Sequence, residues 1–294
     1  MRKLIGALAA AGVLLAAGCT APPQSSAPES STPDSSSSTA SASGTSASGS
    51  SAEGSAATLN SGVLTVGMEI GYPPMEYLDE DGTTYIGFDV EIAGEIAKRL
   101  GLELKIEDTA WDGIFDSLDS NRYDCIISAV SITDERKEKY NLTEPYVANK
   151  LCLVTAKDLG IAKPEDLAGK AVAVQTETTA DDYMKELQAG GLELKDYFVC
   201  DKILQCFDDL KVGRVDAVLV DSVVAAYYIG DDKDTFSVVW ENDEAEPMGI
   251  CLKKGNDALT QAIETAVDEI YADGTFKTIA DKYFGEGNTV GVRG

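Results

Sequence analysis

The run Ser128-Ala129-Val130-Ser131-Ile132-Thr133-Asp134-Glu135-Arg136 brings hydroxyls and a guanidinium close together. The residues just before it, 124–128, read as a strand. Thr133 is a good helix N-cap, its hydroxyl able to accept from an N–H of the first turn. Arg136 then falls in that turn, where a cation opposes the helix dipole. An anion bound there would satisfy the free N–H groups and Arg136 together; the alternative is a solvated arginine balanced by Asp134 and Glu135. A second constellation, Thr176-Glu177-Thr178-Thr179, follows the strand-like run Ala171–Gln175. Thr178 and Asp181 have capping-box spacing, so a ligand site and a plain helix cap both fit. Asp221 closes a third strand, 215–220, where a carboxylate either receives an ammonium group or caps the following helix. An anion clamp facing a carboxylate is the charge pair a zwitterion requires. Tyr72, Tyr77 and Trp111 lie near strand ends, where rings can sandwich an aliphatic or cationic side chain. The Gly-Tyr-Pro-Pro turn is expected to hold the Tyr72 ring off the core.

Composition removes other chemistries. The 294 residues contain no histidine, which excludes Ser-His-Asp and Cys-His catalysis, imidazole acid–base roles and histidine metal sites. With 24 basic against 50 acidic residues, the net charge of −26 leaves no basic footprint for nucleic acid. No phosphate-binding glycine loop, nucleophile elbow or dinucleotide fingerprint occurs. Asp79-Glu80-Asp81-Gly82 lacks the later ligands of a calcium loop and reads as a hairpin turn. No Cys-x-x-Cys is present, so neither a metal nor a cofactor is expected. Cys125, Cys152 and Cys251 sit in apolar runs as small hydrophobes. Cys200 and Cys206 pair only if the fold brings them together.

The elements that must carry these residues alternate. Strands are expected at 63–68, 102–107, 124–128, 151–155, 171–175, 198–200 and 215–220. Helices are expected at 88–100, 111–120, from 178, and at 202–212, 257–272 and 275–284. This alternation argues α/β architecture with mainly parallel sheets, and ligands in such sheets sit beyond the carboxyl ends of strands. Two α/β rounds and a helical tail fit two lobes, with crossovers near 146–151 and 241–248.

The N-terminus reads differently. Arg2-Lys3 followed by the apolar run Leu4–Ala17 has the form of a secretory signal. As a helix that run spans about 21 Å, short of the ~30 Å bilayer core. Residues 16–19, Ala-Ala-Gly-Cys, resemble a bacterial lipobox, which implies removal of 1–18 and lipidation of Cys19. Residues 20–58 are almost entirely Ser, Thr, Ala, Pro and Gly, with no aromatic, Val, Ile or Leu. Such a stretch has nothing to bury and is expected to be a disordered tether, with a reach of about 35 Å.

Taken together, Gly71-Tyr72-Pro73-Pro74-Met75-Glu76-Tyr77, Gly87-Phe88-Asp89-Val90, Trp111-Asp112-Gly113, 123–128, Ser131-Ile132-Thr133-x-x-Arg136, 213–217, 272–275 and 282–285 resemble the family 3 extracellular solute-binding proteins. The resemblance spans about 62–286. It implies a two-lobed periplasmic-binding-protein-like fold of type II, hinged around a ligand cleft, with lobe one at 59–148 plus 245–294 and lobe two at 149–244. It implies a lipid-anchored, extracytoplasmic receptor that delivers a free L-amino acid to the permease and ATPase subunits of an ABC importer. Arg136, Ser131 and Thr179 (beside Thr178) would hold the α-carboxylate. Asp221 and Ser128 would hold the α-ammonium, Tyr72 and Trp111 would flank the side chain, and Glu69 would meet its far end. Glu69 with those rings favours a cationic amino acid; glutamine and cystine are the alternatives. A dehydratase on the same fold, with Glu69 or Glu177 as general acid, is the enzymatic alternative, against which the Arg136–Asp221 clamp argues. Met75, Glu69 and Glu177 depart from the phenylalanine, aspartate and glycine usual in the family.

Overall fold

The computed structural model describes residues 58–156, 159–231 and 233–293. The expected signal segment, Cys19 and the expected linker up to residue 57 lie outside the described residues. The first sheet is built on β1 (Val63–Met68), an apolar run buried along almost its whole length. At Gly67 an added Cβ would meet the Tyr123 ring at 2.4 Å, so only glycine lets that ring pack on the strand. A hairpin follows, β2 (Tyr77–Leu78) and β3 (Tyr85–Ile86). In its turn the Asp81 carboxylate accepts from the Thr83 and Thr84 amides. Helix α1 (Phe88–Leu100) buries Phe88, Ile92, Ala93, Ile96 and Ala97 on one stripe and ends at Gly101 in the left-handed conformation (φ 68°). Next come β4 (Glu103–Asp108), a 3-10 turn at Trp111–Gly113, α2 (Ile114–Asp119), β5 (Cys125–Ile126), α3 (Asp134–Lys139) and β6 (Tyr140–Leu142).

The chain then crosses to a second sheet. It comprises β7 (Leu151–Ala156), β8 (Ala171–Gln175), β9 (Asp196–Cys200), β10 (Ala217–Asp221) and β11 (Phe236–Glu241). Helices α4 (Thr179–Ala189), α5 (Ile203–Lys211) and α6 (Ser222–Asp231) connect these strands. It returns as β12 (Cys251–Lys253), α7 (Asp257–Ala272) and α8 (Thr275–Phe284). The strand orders are β4-β1-β5-β12-β6 and β11-β7-β10-β8-β9.

The helices agree closely with the sequence pattern, apart from 111–120, which divides into the 3-10 turn and α2. The sheets required correction. They are mixed rather than mainly parallel: β7 runs antiparallel to β10 and β11, and β12 antiparallel to β5 and β6. The reason is topological. Both β7 and β12 are the first strands after a crossover, so they enter their sheets from the cleft end and run away from it. Strand 124–128 contracts to Cys125–Ile126 and 102–107 slides by one residue, while β6 and β11 carried no clear pattern. All five described cysteines are free and buried.

Candidate ligand-binding site

A small cavity of about 20 Å³ lies between the two sheets, lined by Glu69, Tyr72, Glu76, Trp111, Ser128, Ala129, Ser131, Arg136, Gln175, Thr178, Thr179 and Asp221. It gathers all nine residues assigned to the ligand from the sequence, but not Tyr77. Each sits beyond a strand's carboxyl end or at the start of the helix that follows, as the doubly wound arrangement dictates.

On the first-lobe wall, Thr133 Oγ1 accepts from the Arg136 amide (3.1 Å) and caps α3. That helix has only six residues and its Arg136 N–H is taken by the cap, so the anion-attracting group here is the side chain rather than the helix end. The half-buried guanidinium donates to Ser131 O at 2.9 Å and lies 5.5 Å from the Trp111 ring centre and 5.1 Å from that of Phe115. Burial pulls its pKa below the ordinary value, while Asp221 and Glu246 oppose that shift from a distance. It makes no ion pair among the described residues, so the clamp has an unmet capacity for an anion.

Beneath it, Ser128 Oγ donates to Glu76 Oε1 (2.6 Å) and accepts from the Glu69 amide (3.0 Å). Glu76 is fully buried and its Oε2 meets no donor. Its neighbour Asp89 accepts from Tyr146 Oη (2.7 Å) and the Ala129 amide (2.8 Å). Burial, reinforced by Asp89, drives the Glu76 carboxyl well above its usual range, whereas Asp89 rises only to about 6. Burial and the neighbouring carboxyl thus favour the protonated form of Glu76.

The second-lobe wall meets this floor. Asp221 accepts from Tyr72 Oη at 2.5 Å and from the Asn149 amide group. Desolvation lifts Asp221 to about 6 despite those bonds. The Tyr72 ring is thus buried, contrary to the expectation from its turn, because lobe two supplies a partner for its hydroxyl. Tyr77 packs instead on Tyr227, outside the cavity. Gln175 Nε2 donates to Glu69 Oε2 (2.7 Å) and to Asp201 O (3.1 Å). Burial raises Glu69 to about 7, with Gln175 and Lys202 pulling the other way. Lys202 Nζ reaches across to Ile70 O (2.7 Å), and Trp111 Nε1 donates to Glu177 O (3.0 Å). Glu177 holds φ 54°, the left-handed conformation glycine adopts freely, with its side chain exposed. Thr178 caps α4 at the Asp181 amide (3.2 Å). In return, Asp181 Oδ2 accepts from the Glu177 amide rather than from that of Thr178 itself. Thr179 Oγ1 donates to Glu246 Oε2 in the return crossover (2.8 Å).

Residues 64–286 match the bacterial extracellular solute-binding proteins, family 3. The chain belongs to this family. It is 38% identical over 226 residues to the L-cystine-binding protein TcyJ of Escherichia coli K12, covering 76% of this chain and 83% of that one. An ancestral arginine-binding protein bound to arginine superposes with TM-score 0.72 at 35% identity, over 76% of this chain and 99% of the other. The ancestral amino acid-binding protein AncCDT-1, described as a precursor of cyclohexadienyl dehydratase, superposes with TM-score 0.69 at 32% identity, over 76% and 96%. The fold is therefore the two-lobed α/β architecture of this family.

Within that family frame, the cavity includes Glu76, Ala129 and Gln175, which sequence reasoning did not select, and is braced by Asn149, Lys202 and Glu246. Gln175 is the last residue of β8, so the strand-end rule could have found it. Lys202 lies two residues past β9 and the same rule points to it. Glu76 and Asn149 carry no signal of their own; only their burial marks them.

Proposed function

We propose that this protein is a lipid-anchored extracytoplasmic receptor that closes on a polar, cationic amino acid and passes it to an ABC importer. The observation that carries the reading is the Arg136 guanidinium, which makes no ion pair among the described residues, in one wall of the cavity with Asp221 in the opposite wall. A guanidinium takes a carboxylate bidentately, and Asp221 takes the ammonium of the same zwitterion. Glu69 marks the distal end. A carboxyl lifted to about 7 by desolvation regains its charge when a ligand cation replaces the lost water. Tyr72 and Trp111 supply aromatic faces for such a cation. Receptor rather than enzyme is supported by the intact zwitterion clamp and by the exposed Glu177 side chain, which lies away from the cavity. The signal segment and Cys19 support secretion and lipidation, with the linker as tether.

One observation favours a second ligand. Lys202 acts on Glu69 electrostatically, so the distal end has both an acid and an ammonium. Cystine carries a second amino-acid group of that kind. Calorimetry with arginine, lysine, histidine, glutamine and cystine tests the choice: the cationic ligands should bind most tightly. Tenfold tighter binding of cystine or glutamine would overturn that ligand assignment, and no binding by any amino acid would overturn the receptor reading. A mass spectrum of the mature protein should begin at a lipid-modified Cys19.

A further inference from the structure

The two crossovers that join the lobes are paired backbone to backbone: the Glu246 amide donates to Asn149 O and the Met248 amide to Val147 O, both at 2.9 Å. The return crossover is also bonded to the loop that carries Ser131 and Arg136. There the Ile132 amide donates to Pro247 O and the Gly249 amide to Val130 O, again at 2.9 Å. Its backbone therefore belongs with lobe one. The half-buried Glu246 side chain reaches lobe two instead, where its Oε2 accepts from Thr179 Oγ1 at 2.8 Å, at the first residue of α4. In the other crossover the Asn149 side chain donates to Asp221. Each crossover thus holds one of the two lobe-two residues that face the ligand's charged groups.

Glu246 does not line the amino-acid cavity, so its carboxylate does not stand where the ligand's α-carboxylate belongs. It forms no ion pair with Arg136 among the described residues, which leaves the guanidinium to the ligand. A threonine hydroxyl has a single proton, and in Thr179 it goes to Glu246. What Thr179 has left to give a carboxylate is its amide N–H, one of the first-turn donors that a helix leaves unpaired. We infer, on the receptor reading above, that Glu246 is a positioning residue for amino-acid capture, setting Thr179 from the hinge at the spacing from Arg136 and Ser131 that the α-carboxylate requires. When the lobes separate, Thr179 leaves with lobe two while Glu246 stays with the Arg136 loop. The bond forms on closure and adds to the affinity of the closed, ligand-bound state. Because it acts at the end common to all amino acids, it strengthens binding without choosing among them.

Calorimetry of the full-length chain with L-arginine, L-lysine, L-glutamine and L-cystine tests this role. Glu246→Ala should weaken every amino acid that the wild type binds by about tenfold, and each by the same factor. Glu246→Gln keeps an acceptor for Thr179 Oγ1 and should recover most of that loss. Thr179→Val should weaken binding as much as Glu246→Ala, and the double variant no more than either alone, since both remove one bond. The ligand-free melting temperature should match the wild type throughout, because the bond belongs to the closed state. Should Glu246→Ala not fold, Thr179→Val supplies the same loss from the other side of the bond. Binding by Glu246→Ala within threefold of wild type would overturn the inference, as would losses that add in the double variant. Tighter binding by Glu246→Ala would overturn it too, by showing the carboxylate to be a competitor of the ligand's. Failure of the wild type to bind any amino acid would overturn the receptor reading itself, and this role with it.

Discussion

On the first-lobe wall of the cavity, Glu69, Glu76, Ser128 and Arg136 are held largely by groups of their own lobe, whereas on the second-lobe wall Gln175, Thr179 and Asp221 find partners in lobe one or in the crossovers. The first wall is anchored by a buried network running from Ser128 through Glu76 and Asp89 to Tyr146. Behind the second, Asp201 O and Asn149 support Gln175 and Asp221, and Asp181 accepts from Tyr197 Oη and Lys185 Nζ, but its ligand-facing groups also reach across to partners in front. A wall braced from behind keeps its geometry when the lobes separate; a wall braced from the front reaches its geometry only on closure. On this arrangement lobe one is expected to be the more preformed half of the site.

The sharpest way to break this division is to remove one charge from each wall. Arg136→Ala and Asp221→Ala should each weaken amino-acid binding by about 2–5 kcal/mol, because each leaves the ligand's opposite charge unpaired on closure. That corresponds to roughly 30- to several-thousand-fold by calorimetry. Binding within threefold of wild type for either variant would show that the clamp is misassigned.

Tyr146→Phe separates the walls by a different readout. It strips the Asp89 carboxylate of a buried donor at the base of the first wall, which should lower folding stability by about 1–3 kcal/mol. At this size that is a fall of roughly 2–4 °C in Tm per kcal/mol. Urea unfolding should register the loss, while Thr179→Val, on the second wall, should leave it unchanged within about 0.5 kcal/mol.

pH acts on both walls at once. Glu69 stands at about 7 against an ordinary 4.5, and Asp221 and Asp89 at about 6 against 3.8. Groups raised in this way favour the folded state fully below their ordinary values and lose that contribution as pH rises through 6–7. The ligand-free protein should therefore melt at a lower temperature at about pH 8 than at about pH 5. A cationic ligand requires the carboxylates, so its affinity should rise by up to about tenfold per pH unit across that window for each proton released. Affinity that is flat with pH would remove Glu69 and Asp221 from the site.

The smallest expected effect belongs to Lys202→Met, which removes a bond from the second lobe to Ile70 O. Affinity should fall by about 0.5–1.5 kcal/mol with stability unchanged. If stability falls and affinity does not, Lys202 braces its own lobe instead of closing the cleft.

Much of this was legible in the residues. Phe88, Ile92 and Ile96 at helical spacing, with Gly101 after them, mark α1 and its end, because period and cap chemistry are local. The caps at Thr133 and Thr178 were readable for the same reason, and the strand-end rule led to Asp221 and to the loop from Ser128 to Arg136, whereas Glu69 and the role of Ser128 came with the family resemblance. The direction of β7 and β12 was not readable, since it depends on which end of a sheet the chain re-enters. Glu177 could be flagged as a departure from glycine, but its left-handed backbone became evident only with the Trp111 indole bonded to its carbonyl. Tyr72 was misjudged because its partner lies 149 residues away in the chain.

By itself, then, the sequence determined what short-range physics can determine: the alternation of strands and helices, their caps, the absence of imidazole chemistry, and the charges available to a ligand. The tertiary structure decided what depends on distance through space. It set Asp221 against Tyr72, placed Gln175 and Lys202 at Glu69, left Arg136 without an ion pair among the described residues, and buried Glu76 beside Asp89. Desolvation and pairing are properties of neighbourhoods, and only folding brings residues that far apart in the chain into one neighbourhood.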